Sequence, residues 1–299
     1  MSTPLVAIVG RPNVGKSPLF NRLVGRREAI VSNIPGTTRD RLIAPISWDG
    51  FSFILVDTGG LEPRPQDIMR DQVKAQVALA VEDADLILFD EPLVNLDYKL
   101  REELRDELRE LFKARNCIAV YATTEPNEAL ALGGNTAVLH EGKLLQYGPT
   151  EQVYREPNGR HSAEMFSEPP INIVPGKLTA TEITFDQSLH FPCDPGLQRL
   201  TPGDYDFGVR ASHITLKPQS VDDLELPVRV DVAEISGSET FLHVRHERFP
   251  LVLHLAGIHE FHVNDAINVY FPTHQLYAFD KQGSTVHIPS SAQGSVAHG

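Results

Sequence analysis

Over the first 150 residues, short apolar runs alternate with polar, turn-prone segments; beyond that, shorter alternating runs take over. Residues 5–9, LVAIV, form an apolar run ending at Gly10, the pattern of a strand buried on both faces. Residues 16–24 then carry a helical pattern. LIAPISW and FSFILVD flank Asp49-Gly50, a two-residue hairpin signal. Residues 66–82 read as a helix, and DLILFD as another buried strand. Asp97 is placed to cap a helix over 98–114, along which Leu100, Leu104, Leu108 and Leu111 form an apolar stripe. CIAVYAT predicts a further strand, and TAVLHEGKLLQYG a strand and turn at the sheet edge.

The pattern changes after Pro157. SEPPINIVPG is Pro-rich and reads as a linker. From 171 to 290 the runs ITFDQSLHF, LPVRVDVAEI, TFLHVRHE, PLVLHLAG and AINVYFP are punctuated by Gly, Pro, Asn and Asp, which predicts a small all-β barrel or sandwich. The tail PSSAQGSVAHG reads as disordered.

Bulk properties narrow the classes. The 299 residues suffice for two domains with real cores. No apolar run approaches the roughly 18–20 residues that span a bilayer. The start, MSTPLVAIVG, lacks the basic stretch and cleavage site of a signal peptide. Two cysteines, Cys117 and Cys193, are too few for a disulfide framework or a metal site. These features predict a protein of the reducing cytosol. The net charge of -13 argues against nucleic acid as a partner. Residues 1–90 carry 10 basic and 11 acidic side chains, only -1, so the near-neutral front is where a polyanionic nucleotide fits.

GRPNVGKS, residues 10–17, matches the phosphate-binding pattern G-x-x-x-x-G-K-[ST], with a strand before it and a helix after it. Gly10 and Gly15 let the loop wrap backbone N–H groups around phosphate oxygens. Lys16 supplies a point charge to the β and γ phosphates, and Ser17 a hydroxyl to Mg²⁺. PGTTRD (35–40) follows with Thr38, and DTGG (57–60) with Asp57 at a strand end.

Together, PNVGKS, IPGTTRD and VDTGG resemble the first GTPase domain of Der-type ribosome-assembly GTPases, over roughly residues 4–89. The resemblance implies a phosphate loop from Gly10 to Ser17, including Asn13, Val14 and Gly15. It also implies a switch-one metal contact from Thr38 and a switch-two turn from Asp57 to Gly60. Leu61 stands where the family replaces the water-positioning glutamine by an apolar residue. Asn13 stands where such GTPases often help to hold K⁺, which makes K⁺ a further candidate ion. Two departures follow. Pro18 replaces the family's threonine and lacks the N–H that reaches the α-phosphate, a loss of about 1.5–3 kcal/mol. The guanine-reading motif Asn-Lys-x-Asp, expected after the fifth strand, occurs nowhere in the chain.

At Asp90 the resemblance changes. LILFDEPLVNLDYKLREELRDEL, CIAVYATTEPNEALALGG and AVLHEGKLLQYGPTEQVYREP resemble the second half of an ABC-transporter ATPase. FGVRASHITL (207–216) and ISGSETFLHV (235–244) resemble the β-barrel regulatory domain of sugar-importer ATPases. That resemblance implies an Mg²⁺ anchor at Asp90, a water-activating base at Glu91 and a dimer-contact loop at 95–97. The LSGGQ signature and the glutamine loop of that family are missing, and Thr124 stands in place of its switch histidine. Lys16 lies 41 residues before Asp57, a GTPase spacing, and 74 before Asp90, too few for an ABC ATPase. In GTPases the strand bearing the first acid lies beside the phosphate-loop strand. In ABC-like ATPases another strand intervenes.

The expectation is therefore a mosaic: a three-layer α/β P-loop NTPase sandwich with a hybrid sheet, followed by an all-β, OB-like barrel. Residues 1–89 are the GTPase-like front and 90–168 the ABC-like back of one α/β domain. Residues 169–290 form the barrel, and 291–299 a tail. The function expected is GTP or ATP binding with Mg²⁺ and weak or no hydrolysis. The phosphate site comprises Gly10, Asn13, Val14, Gly15, Lys16, Ser17, Pro18, Thr38 and Gly60. Ser17, Thr38, Asp57 and Asp90 are the metal candidates, and Lys16, Asp57, Asp90 and Glu91 the catalytic ones. Three alternatives stand beside this: an ABC-transporter ATPase subunit bound to permease subunits at the inner membrane face, a GTPase switch, and a non-enzymatic recombined scaffold. A homodimer is a further candidate assembly.

Overall fold

The computed structural model describes residues 3–10, 16–25, 30–32, 41–57, 84–94, 96–114, 117–185, 189–247 and 249–289, in two compact units, 1–128 and 129–299. Residues 129–168, read from sequence as part of the α/β domain, group with the second unit.

The first unit is built on a six-stranded sheet. Its strands are β1 (Leu5–Gly10), β2 (Ile30–Ser32), β3 (Arg41–Trp48), β4 (Phe51–Asp57), β5 (Leu86–Asp90) and β6 (Ile118–Ala122), in the order β2-β3-β4-β1-β5-β6. β4, β1, β5 and β6 run parallel, β3 runs against β4, and β2 against β3. Asp49 and Gly50 take φ of 46° and 83°, the twin positive values of a tight hairpin turn, so β3 folds directly onto β4. Helix α1 (Lys16–Val24) follows β1, and helix α2 (Tyr98–Ala114) precedes β6. The Leu100 N–H donates to the Asp97 carboxylate at 3.0 Å, the cap predicted for α2.

The two-residue period of β1 divides the core. Ile8 points to one face and packs with Phe20 and Val24 of α1 and with Ala44, Ile46 and Leu55. Ala7 and Val9 point to the other and pack with Ile87, Phe89, Leu93, Leu96 and with Leu104 and Leu108 of α2. Each fully buried Ile, Leu or Phe contributes about 1.5–3 kcal/mol. The sheet is thus held between helical layers, as an α/β P-loop fold requires. The helix predicted over 66–82 lies outside the described residues.

Helix α3 (Pro126–Leu132) carries the chain across the division. β7 (Asn135–His140) and β8 (Lys143–Pro149) then form a two-stranded sheet of their own, with Glu141 and Gly142 at positive φ in the turn. The expectation that this segment edges the front sheet is corrected. Val138 of β7 is buried against Val153 and Phe166, next to helices α4 (Thr150–Arg155) and α5 (Arg160–Met165), so the hairpin finds its apolar cover locally.

The remaining strands are β9 (Asn172–Leu178), β10 (Glu182–Thr184), β11 (His190–Pro192), β12 (Gly203–Val209), β13 (Asp223–Ser236), β14 (Glu239–His246), β15 (Phe249–Ala256), β16 (Ala266–Pro272), β17 (Tyr277–Phe279) and β18 (Thr285–His287). They make two antiparallel sheets, β11-β10-β9-β12-β17-β18 and β15-β14-β13-β16, whose inner faces share one apolar cluster. The linker expected at 167–176 is also corrected, because INIVPG enters β9. Pro175 pairs with Asp206 of β12, whereas β10 joins β9 only at Lys177 and Leu178. Among the described residues β12 is the strand paired with β9 at Pro175, an edge position where a missing N–H is tolerated.

Candidate nucleotide site

Three adjacent parallel strands bring the sequence-predicted acids to the phosphate-loop frame. β1 ends at Gly10 and α1 begins at Lys16, so the strand–loop–helix order demanded by the motif is present. Lys16, Ser17 and Pro18 open α1, in the turn whose backbone N–H groups have no partner within the helix. Asn13, Val14, Gly15, Thr38 and Gly60 lie outside the described residues.

Asp57 closes β4, which lies directly beside β1 in register Ile8↔Asp57. Asp90 closes β5, which lies directly on the other side in register Gly10↔Asp90. No strand intervenes on either side. The sheet therefore has GTPase wiring, with the intervening strand of ABC wiring absent from this order. Two strand spacings, roughly 10 Å, separate the two acid-bearing backbones, and Asp90 stands two residues further toward the loop. Asp57 is 5% exposed, and Asp90 is half-buried. Among the described residues no group of three or more His, Cys, Asp or Glu converges on a metal. One or two carboxylates that leave the remaining positions to phosphate oxygens and a hydroxyl are the donor set that Mg²⁺ takes, so these acids fit such an ion.

The next residue, Glu91, extends the ladder by donating its N–H to the Ala122 carbonyl at 3.0 Å. Its φ of 46° is left-handed, a conformation that costs a residue with a Cβ free energy. Its Oε2 is buried without a hydrogen-bond partner, as is Nε of Arg101 on α2.

A network that the sequence did not announce closes the carboxyl end of β6. Glu128, 4% exposed in the first turn of α3, accepts from the Tyr121 hydroxyl at 3.0 Å and the Thr123 hydroxyl at 2.7 Å. The Glu125 N–H donates to Thr123 Oγ1 at 3.0 Å, and the Glu125 carboxylate pairs with Arg101 at 3.4 Å. Burial raises the Tyr121 hydroxyl far above the usual phenol range; the charge and hydrogen bond of Glu128 and the charge of Glu91 add to this, against Arg101. The one available sequence signal was an acid three residues into a turn that begins Glu-Pro, a common helix start. Thr124 is exposed.

The arrangement defines a P-loop nucleotide-binding class of α/β domain. Residues 5–123 match the family described as 50S ribosome-binding GTPase. The N-terminal region resembles GTPase Der of Lachnospira eligens, at 50% identity over 183 residues, covering 58% of this chain and 42% of that protein. It also resembles GTPase Der of Caldanaerobacter subterraneus subsp. tengcongensis, at 52% identity over 120 residues, covering 39% of this chain and 27% of that protein. The chain thus spans less than half the length of these relatives. Among solved structures, the G domain of the T. maritima FeoB iron transporter overlaps 39% of this chain and 69% of that one, at 27% identity and a TM-score of 0.28.

Proposed function

We propose that the first unit binds a Mg²⁺–nucleoside triphosphate, GTP among them, and turns it over slowly if at all. The observation that carries this reading is the placement of Gly10 between Asp57 and Asp90 at the carboxyl ends of three parallel strands, where open α/β sheets bind ligands. In this reading the loop from Gly10 to Ser17 holds the phosphates, and Lys16 neutralises them. Ser17, Thr38 and Asp57 hold the metal, with Asp90 as the second acid. Mg²⁺ supplies charge neutralisation between the β and γ phosphates. Slow turnover follows from the apolar Leu61 standing in the sequence where a GTPase would carry a water-positioning glutamine.

Residues 90–168 and the β domain that follows are read as a scaffold and regulatory domain of ABC sugar-importer ancestry, which rests on the motifs at 90–157, 207–216 and 235–244. No helix among the described residues is long and apolar enough to cross a membrane. A cytosolic nucleotide-binding protein is the reading these features support.

Calorimetric titration of the full chain with GTP, with and without Mg²⁺, tests the proposal. Mg²⁺-dependent binding that Lys16→Ala abolishes is expected. A folded chain that binds no nucleotide refutes it. Asp57→Asn and Asp90→Asn, titrated with Mg²⁺ at saturating GTP, assign the metal acid.

A further inference from the structure

β6 closes one side of the first unit's sheet. It pairs with β5 over five residues in unbroken parallel register, and with no other strand among the described residues. The Ile118 N–H donates to the Asp85 carbonyl at 2.9 Å, and the Ala122 carbonyl accepts the Glu91 N–H at 3.0 Å. Ile118, Val120 and Ala122 thus turn their backbone groups toward β5. The residues between them turn theirs the other way, so the N–H and C=O of Ala119 and Tyr121 face outward.

This outer row lacks the devices that usually protect an edge, which are charged side chains, proline or a bulge. β6 reads IAVYA and carries none of them. Ile118 is 63% exposed and Val120 44%, on the face they share with Leu86 and Leu88 of β5. Ala119 and Ala122 are exposed as well. Apolar side chains beside a row of open backbone groups are the surface that takes up a further strand.

The residues of the strand indicate which strand that is. Laid antiparallel to itself about Val120, IAVYA sets Ile118 opposite Ala122, Ala119 opposite Tyr121, and Val120 opposite its own copy. Ile118 and Tyr121 each meet an alanine, and no charge meets a like charge. Ala119 of each copy exchanges its outward N–H and C=O with Tyr121 of the other. The flanks match in the same orientation. Lys113, 60% exposed, precedes the strand, and Glu125, 36% exposed beside Arg101, follows it. Antiparallel pairing turns the basic flank of one copy toward the acidic flank of the other.

We infer that β6 is a self-association edge, through which two copies of this chain pair antiparallel about a two-fold axis at Val120. A five-residue edge lies below the roughly 1,200 Å² at which stable interfaces begin, so the dimer is weak and depends on concentration.

Sedimentation equilibrium of the full chain from about 1 to 300 µM tests this, with a monomer–dimer equilibrium expected inside that range. Val120→Lys sets two like charges opposite each other at the axis and is expected to weaken the dimer at least about tenfold. Its far-UV circular dichroism should match the parent, since the side chain is already half exposed. Ala119→Pro removes an outward N–H that β5 does not use and should act in the same direction. Val120→Cys, in a Cys117→Ser chain, should give a disulfide-linked dimer on mild oxidation, because such facing residues lie about 4.5 Å apart at Cα. Ile118→Cys in the same chain should not. A folded chain that stays monomeric throughout overturns the inference; amides of Ala119 and Tyr121 that then resist hydrogen exchange would show that another segment of the same chain covers the edge. A dimer that Val120→Lys leaves intact, or that Val120→Cys does not cross-link, overturns it as well and puts the contact elsewhere.

Discussion

The Arg210 guanidinium donates to the Tyr154 carbonyl at 2.6 Å and lies over the ring of the same residue, 3.9 Å from its centroid. A second arm of the fork reaches the Phe166 carbonyl at 2.9 Å and the Ser167 hydroxyl at 2.6 Å. Tyr154 lies in the last turn of α4, and Phe166 caps α5, so one buried cation satisfies carbonyls at the ends of two helices. Arg210 is 4% exposed. Replacing it by Met leaves these carbonyls without their donor. We expect the second unit to lose at least about 3 kcal/mol, with Arg210→Lys recovering part of it. Hydrogen exchange of peptides from 150–167 and 203–209 reads this out; a loss below about 1 kcal/mol would contradict the role.

Stability of the same unit depends on pH through two imidazoles. Burial foremost, then the charges of Arg210 and His274, hold His213 below its ordinary value. Burial does the same to His287, against an opposing pull from Asp194. The unfolded chain therefore takes up these protons at higher pH than the folded one. The stability contribution is complete above the ordinary value of 6.5, falls as pH drops below it, and levels off once the folded-state values are passed. The slope is at most about 1.4 kcal/mol per pH unit for each histidine. Urea midpoints between pH 7.5 and pH 5 should show it, and a His213→Gln, His287→Gln chain should show a flatter profile. An unaltered profile counts against the assignment.

Asn172 joins the two antiparallel sheets. Its amide donates to the Val252 carbonyl at 2.9 Å, and its carbonyl accepts the Val252 N–H at 2.7 Å, a reciprocal pair between β9 and β15. Asn172→Leu keeps the volume and strands both backbone groups. The expected cost is about 2–4 kcal/mol, summed over two buried groups left unpaired. Denaturant titration by far-UV circular dichroism measures it, and a neutral result would mean that water replaces the side chain.

Pro18 is the third residue of α1, in the first turn, whose N–H groups would face the phosphates in the proposed site. Pro18→Thr restores one donor and is expected to tighten triphosphate binding roughly ten- to a hundredfold. Equal affinity in the two chains would show that no phosphate oxygen reaches this position.

Much of the fold was legible in local pattern. The bounds of α1, α2 and β4 follow from periodicity, from the Asp97 cap and from the Asp49-Gly50 turn, all of which act within a few residues. FGVRASHITL was legible as a motif but not as a mechanism. Its Phe207 is a core residue, and a Cβ on Gly208 would meet Phe279 at 2.8 Å. The acceptors of Arg210 lie more than 40 residues away. SEPPINIVPG misled because three prolines close together look like a linker, whereas Pro175 sits within strand β9, opposite Asp206 of β12.

The candidate site divides the same way. The sequence by itself offered the phosphate-loop motif at 10–17 and named Asp57, Asp90 and Glu91 as candidates, because that chemistry needs fixed residue types at short spacing. Only the tertiary structure decided which strands flank β1, since strand order is set by packing both faces of a sheet and not by any run of residues. It placed Asp57 and Asp90 on opposite sides of one strand, and it tied Glu128 to Tyr121 and Thr123 across the end of β6. Those contacts depend on the burial of a carboxylate, and burial is a property of the folded chain alone.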